Sequence, residues 1–279
     1  MDGMVFAQRH SEAGRAPLET ADGCPPDRSH RVVSLVRHEI IPRLLLARRG
    51  DGAQRRPGPA HVETLARLAM ARDPSAAGAQ IVALREAGVP HEALLEDLIA
   101  PAARRMGDLW TSDAADFVEV ALGAGRLCAA VRQLGAQIEP AAGGAAAPLA
   151  LIATPGRERH GLGALIVAQT FRLAGWRVRE APGAEPESLA AQVAAAPYDL
   201  VGLSLSTLDH ADAVRSLIAR LRRAARGRRI VVALGGPACR SESGVAAALG
   251  ADFAAADARS ALSQAQRHLS ESHGAAIKG

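Results

Sequence analysis

Glu158, His160 and Gly163 stand together in the stretch Glu-Arg-His-Gly-Leu-Gly, just after an apolar run from Leu149 to Ala153. A histidine two residues after a carboxylate and three before a glycine, on a strand-to-helix loop, suits one kind of chemistry. The imidazole can reach a metal, and the carboxylate can hold the other ring nitrogen and so set which nitrogen faces the metal. The glycine admits a close approach. Ligands of open parallel sheets bind at the edge where such loops lie.

Two further runs belong to the same edge if each follows a strand. One is Gly202-Leu203-Ser204-Leu205-Ser206-Thr207, small and rich in hydroxyls. The other is Leu234-Gly235-Gly236-Pro237-Ala238, whose paired glycines offer backbone N–H groups and room for a ligand. A surface histidine, a strand-end serine or a glycine pair each has an ordinary structural use. Their convergence on one sheet edge makes a site.

The elements that must position these loops can be read from periodicity. Between residues 149 and 270, short Val-, Leu- and Ile-rich runs at 149–154, 176–181, 199–204, 230–234 and 252–255 alternate with helical stretches at 161–174, 186–195, 209–225, 242–249 and 258–270. Such alternation predicts a five-stranded parallel sheet covered on both faces, flavodoxin- or Rossmann-like. Residues 30–138 are helical in period. Leu95, Leu98, Ile99, Ala102, Met106, Leu109 and Trp110 form one apolar stripe, and Phe117, Val120, Ala121, Ala124, Leu127, Val131 and Leu134 form another. Thr111, Ser112 and Asp113 are each N-cap candidates for the second stripe's helix. Helices near 31–49, 59–72 and 75–87 complete a predicted bundle of four or five, with Pro42 breaking or kinking the first. Residues 1–29 read as a disordered tail and 139–148 as a linker, leaving 149–279 as the α/β domain.

Composition narrows the function classes. The chain has 279 residues and a formal charge of +4, with the two signs interspersed, which demands no nucleic acid. Three scattered cysteines form neither a disulfide framework nor a zinc spacing, and no apolar run approaches a membrane span. A cytoplasmic protein is expected. Arg220, Arg222, Arg223, Arg226, Arg228 and Arg229 straddle a helix end, where cations complement the dipole, so a solvated face is the simpler reading. No helix-turn-helix, zinc finger or nucleophile–base pair is evident, so neither direct DNA contact nor independent catalysis is expected.

These motifs resemble the cobalamin-binding family, with its Asp-x-His-x-x-Gly loop, a serine at the third strand's end and Gly-Gly on the fourth. Glu158 here replaces the aspartate. The resemblance implies that His160 is the lower cobalt ligand and Glu158 its partner, with Gly163 at the close-approach position. Ser204, Gly235 and Gly236 would line the slot for the displaced nucleotide tail, with Ser206 and Thr207 beside them. The family's further threonine, four residues after its serine, is Leu208 here. Met106-Gly107-Asp108-Leu109-Trp110 and Asp116-Phe117-Val118-Glu119-Val120 resemble the family's helical cap, whose tryptophan, here Trp110, shields the upper axial position.

Cobalamin photoreceptors that repress transcription carry a Glu-His pair ten and eleven residues after that tryptophan. Val120 and Ala121 stand there instead, so their mechanism does not transfer. The run Asp116 to Leu127, and Glu39-Ile40-Ile41-Pro42-Arg43-Leu44-Leu45, look closer to the AerR/PpaA regulators of photosynthesis genes. That resemblance spans about residues 31 to 270. It implies a non-enzymatic, light- or redox-responsive regulator that binds adenosyl- or hydroxocobalamin and acts through a DNA-binding repressor of photosynthesis genes. A corrinoid carrier serving methyltransferases shares the cap and the histidine loop. A haem sensor is the third class, since His160 suits an iron porphyrin too.

Overall fold

The computed structural model describes residues 56–138, 147–156, 161–239 and 244–276, with side chains in the last helix as far as 271. The tail expected over 1–29, the helix near 31–49 and most of the 139–148 linker lie outside these residues.

Four helical stretches come first. α1 is Pro59–Met70 and α2 is Ala76–Glu86. α3 runs through three consecutive segments, His91–Ala93, the π-helical Leu94–Ile99 and Ala100–Thr111, with helical backbone at both junctions. α4 is Phe117–Gly135. The expected start signal of α4 is displaced. Its N-cap is Asp116, not Thr111, Ser112 or Asp113. Asp116 Oδ1 accepts from the Glu119 N–H at 2.7 Å and Glu119 Oε2 accepts from the Asp116 N–H at 3.2 Å, a reciprocal box. Ser112 instead turns its hydroxyl back to the Asp108 carbonyl at 2.8 Å, closing α3.

Leu65, Ile81, Leu94, Leu98, Met106, Leu127 and Val131 fill the bundle core. Gly123 permits its closest approach, because a Cβ there would lie 2.7 Å from Met106 Cε. Arg126 on α4 donates to the Ala69 carbonyl at 2.7 Å and to that of Ala71, satisfying acceptors that α1 leaves open at its C-terminus.

The second half alternates as expected. The strands are β1 Leu149–Pro155, β2 Arg177–Ala184, β3 Leu200–Ser204, β4 Val231–Gly235 and β5 Phe253–Ala254. The helices are α5 Gly161–Leu173, α6 Pro186–Ala195, α7 Ala211–Ala224, α8 Val245–Leu249 and α9 Ala258–Ala276. All strand pairs are parallel, in the order β2-β1-β3-β4-β5. The order reverses beside β1, which puts a ligand crevice between the carboxyl ends of β1 and β3.

Leu151, Val201, Leu203, Val232 and Leu234 face α6, α7 and α8, contributing to a core with Leu189, Leu217 and Leu249. Ala150, Ile152, Leu200, Val231 and Ala233 point the other way, toward Ala168 and Phe171 of α5 and Ala261 and Ala265 of α9. At the far edge Asp199 and Asp252 pin the sheet. Asp199 Oδ2 accepts from the Leu149 N–H at 2.8 Å, and Asp252 Oδ2 from the Val232 N–H at 2.7 Å.

The bundle packs on the face formed by α5 and α9. Leu165, Ile166 and Ala258 belong to the same core as the bundle's leucines. Gly135 of α4 meets the Gln169 side chain, whose amide would be 2.5–2.6 Å from any Cβ at that position.

Candidate functional site

Three loops at the carboxyl edge of the sheet carry the expected site residues. Glu158 and His160 lie outside the described residues. What surrounds their loop is visible. Near the end of β1 the buried Thr154 hydroxyl accepts from the Gly183 N–H at 2.8 Å, and Gly156, just after the strand, has φ +65°. α5 resumes at Gly161. Gly163, in its first turn, is exposed, and a Cβ there would meet nothing within 4 Å.

The β3 and β4 loops are joined to each other. Ser204 pairs with Gly235 in register. The Leu205 N–H donates to the Gly235 carbonyl at 2.9 Å, and the Ala238 N–H donates to the Leu205 carbonyl at 3.2 Å. This gives Gly236 a role that the sequence does not reveal. It sits at φ +94°, and a Cβ there would overlap the Leu205 carbonyl oxygen and come within 2.8 Å of the Leu205 nitrogen. Its missing side chain makes room for the neighbouring loop. Gly235 has ordinary space around it. Cys239 closes the turn with its thiol donating to the Gly235 carbonyl at 3.4 Å, and burial pushes that thiol's pKa up.

The first residue of the Gly202–Thr207 run lies in the strand itself. Gly202 lies in the middle of β3, the central strand, yet is partly exposed, as is Ser204 two residues on. The central strand of a sheet covered on both faces is normally sealed. Here Gly202 stands beside Ile152 and Ala233, with Ser204 beside Gly235, so that stretch of the face carries mostly small side chains. α5 and α9 pack on the same face through alanines, Ala164 and Ala168 on one and Ala261 and Ala265 on the other. Gly202 and Ser204 are thus partly exposed on the face that α5 and α9 cover, with Ile152 Cδ1 lying over Gly202. The only signal in sequence was a glycine inside a strand pattern, which often marks close approach by another group. Ser206 is half-buried at the mouth and Thr207 is exposed.

On the bundle, Trp110 is 48% exposed and its ring lies 6.3 Å from that of Phe117, which is 67% exposed. Val118 and Leu122 extend this uncovered apolar surface along α4. Trp110 is therefore not an ordinary core residue. The structure thus shows partly exposed small residues near a parallel sheet's switch point and, on the helical bundle packed against that domain, an exposed aromatic surface.

Residues 148–265 match the family model described as B12 binding domain. A relative from Rhodobacter capsulatus, called an uncharacterized 20.5 kDa protein in the bchF-crtJ intergenic region, is 32% identical over 184 residues, or 64% of this chain and 94% of that protein. The monomethylamine corrinoid protein of Methanosarcina barkeri has the same fold: TM-score 0.60, 17% identity, 76% of this chain and 98% of that one. Fold and family match define the class, a helical bundle followed by a Rossmann-like B12-binding domain. The chain belongs to the family of B12-binding-domain proteins that includes the Rhodobacter capsulatus relative.

Among the described residues no helix is long and apolar enough to cross a membrane, and no three His, Cys, Asp or Glu side chains gather as a metal cluster.

Proposed function

We propose that this chain binds cobalamin, with His160 as lower cobalt ligand, and acts as a light- or redox-responsive regulator of photosynthesis genes through a DNA-binding repressor. The single observation that carries the cofactor is the partly open glycine in the central strand. Gly202, with Ser204 and Gly235, would take the nucleotide tail, and the Ser204 hydroxyl would give it a hydrogen-bonding partner. Gly163 would admit close approach at the start of α5, Glu158 would orient the His160 ring, and Trp110 with Phe117 would shield the cofactor's upper face. A bound cobalamin supplies a cobalt centre whose upper ligand responds to light or redox state. The chain's residues hold, orient and desolvate it. The gene-regulatory part rests on the resemblance to the AerR/PpaA regulators and on the name of the Rhodobacter capsulatus relative, which sets that protein between bchF and crtJ.

A corrinoid carrier for methyl transfer is the second reading, favoured by the name of the Methanosarcina barkeri protein. Absorption spectra after reconstitution with adenosyl- and hydroxocobalamin, in darkness and after illumination, test the proposal. A base-off, histidine-on spectrum that His160→Ala abolishes is expected. No corrinoid spectrum, or a Soret band of co-purified haem, would sink it. Light-insensitive spectra together with turnover by an added corrinoid methyltransferase would select the carrier.

A further inference from the structure

The chain contains no Asp or Glu between Asp212 and Glu242, while arginines stand at 215, 220, 222, 223, 226, 228 and 229. The fold divides them into two sets. Arg215 pairs with Asp212, and Arg220 pairs with Glu187. Arg222 donates to Asp252 and to the Gly250 carbonyl, both at 3.0 Å. Arg228 donates to the Ala196 and Val193 carbonyls at 3.0 and 2.8 Å. Those four are fastened to the domain. Arg223, Arg226 and Arg229 are exposed and have no acidic or carbonyl partner among the described residues.

Nor are the three needed to finish the helix. The backbone already closes the end of α7, with the Ala225 N–H on the Leu221 carbonyl, that of Arg226 on Arg223 and that of Arg228 on Ala225, each at 3.1 Å. Arg226 takes up its place at φ +52°, a left-handed conformation disfavoured for a side chain of this kind, next to Gly227 at φ +81°. A strained cation displayed between two unpaired ones needs a use that the fold does not supply.

We infer that Arg223, Arg226 and Arg229 form a contact surface for the phosphate backbone of DNA. The fully buried core of a protein-binding patch is commonly apolar. None of the exposed large apolar side chains lies on α7 or in the turn after it, and the exposed residues just before Arg220 on that helix are the small Ser216 and Ala219. Cations on a smooth, small-residue surface suit phosphates and read no sequence. The turn leads into the start of β4, so the patch lies at the edge of the sheet opposite the candidate slot, and both can be occupied at once. In the regulator reading, on which the biological role of this contact rests, the phosphates are those of DNA held by the repressor.

The test uses the full chain loaded with hydroxocobalamin and a short labelled duplex of arbitrary sequence, with binding followed by anisotropy across a salt series. Each phosphate contact adds about 0.9 to the slope of log affinity against log salt. The triple variant Arg223→Gln, Arg226→Gln, Arg229→Gln is therefore expected to lower the slope by about 2–3 and low-salt affinity by at least about tenfold. Arg226→Gly separates binding from folding: it should raise Tm by relieving the left-handed strain while lowering the slope. No DNA binding by the wild type, or equal slopes for wild type and triple variant, overturns the inference. So does a triple variant that loses poly-glutamate binding but keeps DNA. If the wild type takes up no corrinoid yet its DNA slope depends on these arginines, the cofactor reading fails and this one stands.

Discussion

Arg259, in the first turn of α9, holds Asp97 of α3 with two parallel hydrogen bonds of 3.0 and 3.2 Å and donates from Nε to Glu92 at 3.0 Å. The pair joins the π-helical stretch of the bundle to a helix that covers the Gly202 face of the sheet, and its two carboxylates hold the guanidinium pKa well above its usual range. The side chains are 38% and 20% exposed, so solvent screens part of the attraction. Arg259→Gln should destabilise the protein by about 1 kcal/mol. Thermal unfolding should show Tm lower by about 2–4 °C. The difference between wild type and variant should narrow in high salt.

Glu96, one residue away, is buried and accepts a hydrogen bond from the Thr170 hydroxyl of α5 at 3.3 Å. Burial raises its carboxyl pKa above the ordinary 4.5, Asp257 and Asp97 add to that, and Arg259 and Thr170 oppose it. The folded chain therefore holds this proton more tightly than the unfolded chain. The stability this contributes is fully present below the ordinary value and is lost as pH rises through the raised one. Glu96→Gln keeps an acceptor for Thr170 and removes the titration. Urea midpoints of the wild type should fall with rising pH in that window by more than those of Glu96→Gln.

Gly236→Ala should destabilise the joint between the β3 and β4 loops. The substitution puts a Cβ into the Leu205 backbone at φ +94°, so strain and overlap together are expected to remove about 1–3 kcal/mol. Calorimetry would check the loss. Amide exchange should rise first at Leu205 and Ala238, whose N–H groups make the bonds that join the loops.

Gly202→Val should do the converse. A Cβ at this position lies 2.9 Å from Ile152 Cδ1, the free end of a flexible side chain that can move aside, and valine suits a strand. Far-UV circular dichroism should be unchanged. Cobalamin titrations should show affinity lower by at least about tenfold, equivalent to about 1.4 kcal/mol, because the added branches fill the slot.

The order and type of nearly every described element were legible, because each rests on local periodicity. The strands at 149–154 and 199–204 and the helices at 161–174 and 186–195 meet their counterparts within a residue at each end. The start of α4 was not, since four polar residues compete for its cap. Asp116 takes it because only there does a glutamate follow three residues later, in position to reach back. The π-helical turns at Leu94–Ile99, which carry Glu96 and Asp97 to their partners on α5 and α9, were also hidden, because the apolar period there reads as an ordinary helix.

Residue types and spacing by themselves determined a parallel α/β domain after a helical bundle, and they singled out Ser204, Gly235, Gly236 and Trp110. Periodicity and turn chemistry are local, and a chain carries them in order. Tertiary structure alone decided what those residues are for. Pairing β3 beside β4 brought Leu205 against Gly236 and made that glycine the joint between two loops. Placing β3 at the centre of the sheet left Gly202 and Ser204 partly exposed where a central strand is normally sealed. Exposure and close packing arise between segments far apart in sequence, and no spacing along one strand encodes them.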